Sequence, residues 1–153
     1  MKPDIFISYS RREVGFVDDL TSHLEKEKFN VWLDYRSLVP GKPWEERIFQ
    51  GIANSNVILL VVSKSSMASD NVEYEWRRVL QEENKRIILL IFEAVDMPKE
   101  LEKFEWVDFR GNYQNALKEL DRQLQMPEQE KHSAPQTGFK VPAVVWLAFA
   151  FSL

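Results

Sequence analysis

The chain has 153 residues, 44% hydrophobic and 29% charged, which suits one soluble globular domain with a core of its own. A net charge of −4 without a basic stripe gives no electrostatic reason to expect nucleic acid as a partner, and none is expected. With no cysteine there is no disulfide framework, and His23 and His132, the only imidazoles, are not spaced as metal ligands.

The N-terminal residues enter a strand, Asp4 to Ser8, and lack the apolar region of a signal peptide, so the folded part is expected in the cytosol. Residues 13–27 carry Phe16, Val17, Leu20 and Leu24 at helical spacing. Phe29 to Asp34 reads as a second strand, followed by a loop containing Pro40-Gly41-Lys42-Pro43. A helix opens near Trp44, with Ile48, Ile52 and Ala53 on one face. Asn56 to Val62 is a short, β-branched apolar run, the pattern of a buried strand at 57–62. It feeds a serine-rich turn in which Ser69 or Asp70 caps a helix predicted over 70–84, striped by Val72, Trp76, Val79 and Leu80.

A fourth strand spans 86–92 and a short fifth 105–109. A last helix over 113–125 buries Ala116, Leu117, Leu120 and Leu124. Strands alternating with helices predict an α/β, flavodoxin-like fold: a five-stranded parallel sheet with helices on both faces. The domain is expected to end at residue 126. Residues 127–140, with Pro127, Glu128, Gln129, Pro135, Gln136 and Gly138, read as a flexible linker. Val141 to Leu153 carries no charge. At about 1.5 Å per residue it is too short to cross a bilayer core of roughly 30 Å. It reads as the start of a transmembrane helix, or as an apolar tail that docks on a partner.

In open α/β sheets ligand crevices form at the carboxyl ends of the strands. A helix beginning at Asp70 places Glu75 about one turn in, beside that edge. Glu73 is the rival, but positions two apart on a helix do not share a face, so at most one of the pair faces the crevice. Glu75 is read as that carboxylate, as a solvated helix charge, or as the i,i+3 partner of Arg78. There is no G-x-G-x-x-G, no P-loop and no G-x-S-x-G elbow, and the strand ends lack the carboxylates of a phosphoacceptor receiver.

Several separated motifs are similar to those of the TIR (Toll/interleukin-1 receptor) domain. Asp4-Ile5-Phe6-Ile7-Ser8-Tyr9-Ser10 resembles its first signature box. Trp32-Leu33-Asp34 with Pro40-Gly41-Lys42 resembles the second, and Phe104-Glu105-Trp106 the third. Ser63 through Glu75 resembles the family's serine-rich turn and glutamate-bearing helix, and the match runs over residues 4–125 in order. Some members of this family are scaffolds that signal by self-association. Others, including bacterial ones, cleave NAD+ at the nicotinamide–ribose bond. The resemblance to the cleaving group implies that Glu75 is catalytic, with NAD+ as substrate and neither cofactor nor metal.

The family's enzymes commonly carry Trp-x-x-x-Glu. Here Asn71 stands in the tryptophan's place, which leaves the carboxylate but removes a stacking ring. The resemblance further implies that Tyr9, Ser10 and Arg11 lie where the nucleotide is contacted. Arg11 could pair with a phosphate. Asp34 reaches a ribose hydroxyl or braces its own loop, Trp44 stacks on a base or packs, and Ser63 lines the floor or satisfies its turn. Activity is implied to rise on self-association through TIR–TIR contacts, in signalling or antiviral defence, with the tail attaching the domain to a membrane.

Overall fold

A computed structural model describes residues 2–33, 44–82 and 84–126, without the side chains of Trp44, Glu45 and Arg47. Asp34, the loop through Pro43, the linker and the apolar tail lie outside the described residues.

Five strands, β1 (Asp4–Ser8), β2 (Asn30–Leu33), β3 (Val57–Val62), β4 (Arg86–Ile91) and β5 (Glu105–Asp108), pair in the order β2-β1-β3-β4-β5. Every pairing is parallel. All six residues of β3 and of β4 are buried, and apart from Arg86 at the start of β4 they form the continuous apolar runs of a sheet covered on both sides. Side-chain alternation then splits the core in two. Ile5, Ile7, Leu59, Val61, Ile88 and Leu90 face α1 (Val14–Lys26) and α5 (Tyr113–Gln125). Phe6, Ile58, Leu60, Val62, Leu89 and Ile91 face α2 (Trp44–Ala53) and α4 (Asp70–Leu80).

The predicted elements fall close to these bounds, with three differences. The serine-rich turn contains a one-turn helix, α3 (Lys64–Met67), closed by a reciprocal capping box. Ser66 N–H donates to Ser63 Oγ at 2.9 Å, and Ser63 N–H donates to Ser66 Oγ at 2.8 Å. Helix α4 stops at Leu80 rather than at residue 84, because its apolar stripe ends there and Gln81 and Glu82 turn back onto Arg78 and Val79. The β4–β5 connection holds only a 3₁₀ turn, Lys99–Leu101, and covers the α4 side of the sheet with Val95, Met97, Leu101 and Phe104.

Candidate functional site

The sheet order puts a topological switch point between β1 and β3: β1 connects outward to β2, and β3 connects the opposite way to β4. Loops diverge there and leave room at the carboxyl edge. Four segments meet around it, namely the exit of β1, the turn and α3 after β3, the exit of β4, and the first turns of α4.

Ser69 caps α4, its Oγ accepting from Val72 N–H at 3.3 Å. That start sets the phase of the helix. Val72, Glu75, Trp76 and Val79 turn inward, and Glu75 is 1% exposed. Glu73 turns outward into an i,i+4 pair with Arg77 at 3.3 Å. Glu75 is therefore not the solvated charge that was one reading of it. Arg78, its alternative partner, lies over the Phe49 ring at 3.9 Å and donates to Gln81 at 2.9 Å. Carboxylates buried to this degree on the packed face of a helix concentrate at functional sites.

The other expected site residues are distributed unevenly. Tyr9 is buried on the α1/α5 side of the sheet, within that half of the core, so it is not on the side of α4. Ser10 caps the 3₁₀ turn Arg11–Glu13, accepting from Arg12 N–H at 3.4 Å. Arg11 and Asn71 are exposed. Ser63 is fully buried and its hydroxyl is engaged in the capping box, the bland alternative of its two readings. Trp44 is the first residue of α2 and Asp34 follows β2, both positions whose side chains are outside the described residues.

Two groups at this edge escaped the sequence reading. Ser8, the last residue of β1, is fully buried, and its Oγ has no hydrogen-bond partner among the described residues. Such a hydroxyl costs about 1–3 kcal/mol unless something else satisfies it. Strand alternation places it with Phe6 on the α4 side, and that period was the signal that could have found it. Glu13 is 5% exposed with Oε1 likewise unpartnered among the described residues. Glu93, beyond β4, accepts from Lys64 N–H at 3.0 Å and so holds the start of α3.

Burial, and then the nearby Glu93 carboxylate, push the Glu13 pKa above its ordinary 4.5, while Arg12 pulls it partly back. A raised carboxyl pKa means that folding favours the protonated form. Its stabilising contribution is complete below 4.5 and is lost as pH rises through the folded-state value. Glu13→Gln is thus expected to gain stability relative to wild type as pH rises through that window. Paired urea titrations across it would read the difference, and a gap that stays constant or shrinks on alkalinisation refutes the assignment.

Two concavities occupy other parts of the surface. One of about 560 Å³ runs between the β5 edge and α5, lined by Asp108, Asn112, Glu119 and Gln123 among others. A shallower one of about 380 Å³ lies over the outer face of α4 between Phe49 and Tyr74. Glu75 lines neither. Among the described residues no group of three His, Cys, Asp or Glu side chains is placed to hold a metal ion.

A parallel β2-β1-β3-β4-β5 sheet is the flavodoxin-like, doubly wound arrangement. The TIR domain profile matches residues 5–123, and the chain belongs to that family. It is 34% identical over 101 residues to Toll-like receptor 2 of Ovis aries, a match over 61% of this chain and 13% of the receptor. Protein toll of Drosophila melanogaster is 29% identical over 109 residues, 67% of this chain and 10% of that protein. The chain thus spans only about an eighth or a tenth of the length of these relatives. In fold it is similar to the TIR domain of the Toll-related receptor TRR-2 from Hydra magnipapillata, with a TM-score of 0.71 and 20% identity over 81% of this chain and 99% of that one. The TIR domains of the activated Roq1 resistosome give a TM-score of 0.63 and 15% identity over 80% and 99% of the two chains. A metazoan TIR-STING receptor from C. gigas gives 0.59 and 20% over 82% and 41%.

Proposed function

We propose that this TIR domain cleaves NAD+ at the nicotinamide–ribose bond, with Glu75 as the catalytic carboxylate. The observation that carries the reading is the phase of α4, which turns Glu75 into the packed layer beside the switch point and sends Glu73 into solvent. Cleavage breaks the bond between ribose C1′ and the pyridinium nitrogen. The electron pair leaves with the ring, which departs as neutral nicotinamide, so no general acid is needed. Positive charge develops on the ribose as an oxocarbenium ion, and a carboxylate facing it stabilises that charge. Water then adds to C1′ and releases a proton, giving ADP-ribose, or the adenine of the same molecule closes a cyclic product.

At 1% exposure Glu75 is closed to a dinucleotide, so the residues over it must part before turnover. That requirement supports activation by TIR–TIR association, as does the fold shared with TIR domains of an assembled resistosome. The setting would be signalling or antiviral defence, with the domain cytoplasmic and residues 141–153 opening a membrane anchor. Among the described residues no helix is long and apolar enough to cross a membrane. A second reading, a non-catalytic domain that signals by homotypic contact, is favoured by the 29–34% identity to Toll and Toll-like receptors.

Nicotinamide release by the full chain, concentrated on vesicles to promote association, separates the two. Wild type and Glu73→Gln are expected to release nicotinamide, and Glu75→Gln to lose about 10²–10³-fold in kcat. A folded, associated wild type that releases none leaves the scaffold reading standing.

A further inference from the structure

Beyond Glu75, we propose that Ser8 contacts the substrate: its hydroxyl hydrogen-bonds a hydroxyl of the ribose whose C1′–nitrogen bond is cleaved. This rests on the NAD+-cleavage reading and deepens it by naming what recognises the sugar.

Ser8 ends β1 at the carboxyl edge and pairs in register with Leu60 of β3, the two strands that flank the switch point. Phe6, two residues earlier on the same face, packs in the layer that contains Val72 and Trp76 of α4. At about 3.3 Å per residue Ser8 stands roughly 7 Å further toward the edge than Phe6. Helix α4 begins at that edge and runs close to β1, with Cα separations within 8 Å. Glu75, five residues from the start of α4, lies about 7–8 Å along it. The hydroxyl and the carboxylate therefore belong to one layer on one side of the sheet.

Ser8 is also distinguished by what it lacks. Its Oγ is fully buried with no hydrogen-bond partner among the described residues, whereas Ser63 and Ser66 at the same edge satisfy one another. Thr21 and Tyr113 carry hydroxyls in the same state, but on α1 and α5, against the opposite face. A hydroxyl both donates and accepts, as a sugar hydroxyl does, so the pair is chemically matched. Ser10 is only half-buried and its hydroxyl already caps the 3₁₀ turn, so it is not equivalent.

The test compares wild type and Ser8→Ala on three substrates: NAD+ and two analogues, each lacking one hydroxyl of the nicotinamide-bearing ribose. Ser8→Ala is expected to lower kcat/KM for NAD+ by about tenfold. Against the analogue that lacks the contacted hydroxyl it is expected to change nothing. Thermal unfolding should show an unchanged or raised Tm, since the substitution removes an unsatisfied hydroxyl. A loss shared equally by all three substrates, or no loss on any, overturns the contact while leaving the cleavage reading intact. A folded, associated wild type that releases no nicotinamide overturns both.

Discussion

Arg86→Ala is expected to destabilise the domain by about 3–5 kcal/mol, the range for breaking one partner out of a buried ion pair. Arg86 opens β4 and Glu105 opens β5, and they are 9% and 5% exposed. The guanidinium is bidentate: Nε and Nη2 each donate to a Glu105 oxygen at 2.7 Å. Its remaining capacity closes the end of α5, with Nη2 donating to Gln123 O and Nη1 to Met126 O, both at 2.9 Å. Gln123 O also accepts from Met126 N–H at 3.2 Å, and Met126 is the residue that caps the helix. Removing Arg86 therefore takes the cation from a buried carboxylate and a side-chain donor from each of two carbonyls at the end of α5.

Lysine is not expected to substitute, because an ammonium lacks the planar fork. The double exchange Arg86→Met with Glu105→Leu is expected to cost less than Arg86→Ala alone, since no charge is then left buried. Urea unfolding of the three variants decides this. A loss below about 1 kcal/mol for Arg86→Ala would show that Glu105 finds solvent or another donor without disturbing the sheet.

How much of this was legible depended on which period governed each residue. Strands β3 and β4 declared themselves because burial on both faces demands unbroken apolar runs, and 57–62 was bounded correctly for that reason. Helix α5 was bounded correctly because Asn112 caps it and the stripe from Ala116 to Leu124 keeps helical spacing to its end. Helix α3 was hidden because it carries no periodic apolar signal, although Ser63 and Ser66 stand at capping-box spacing. The choice of Glu75 over Glu73 came from the register of the family resemblance, and the phase of α4, with Val72, Trp76 and Val79 inward beside Glu75, agrees with it.

In β1 the resemblance pointed to Tyr9 and Ser10 rather than to Ser8. Those two follow it in sequence, but alternation turns Tyr9 to the other face. Glu13 was unreadable for a different reason. A charged residue beside Arg11 and Arg12 looks solvated, and only the 3₁₀ turn that tucks it under the edge buries it.

Gly51 tests how tightly the crevice side of the sheet is packed. It lies in α2 facing Phe6, and a Cβ built there would sit 2.9 Å from both Cδ2 and Cε2 of that ring. Two effects of Gly51→Ala oppose each other. Alanine in a helix interior gains about 1 kcal/mol over glycine. Overpacking a filled core loses about 1–3 kcal/mol. Phe6 is 1% exposed and paired in register between Trp32 and Ile58, so its ring has little freedom to withdraw and the upper part of that range applies. The net expectation for Gly51→Ala is a loss of about 2 kcal/mol, and for Gly51→Val, bulkier and β-branched, a loss of about 3 kcal/mol or more. Phe6→Leu should relieve the clash, giving a coupling of about 1 kcal/mol in a double-mutant cycle. Urea midpoints at constant slope provide the measurement. A Gly51→Ala protein more stable than wild type would mean that the ring moves aside freely and propensity alone decides. If the ring is instead forced along its strand toward Ser8, nicotinamide release should fall together with stability, because Phe6 and Ser8 share one face of β1.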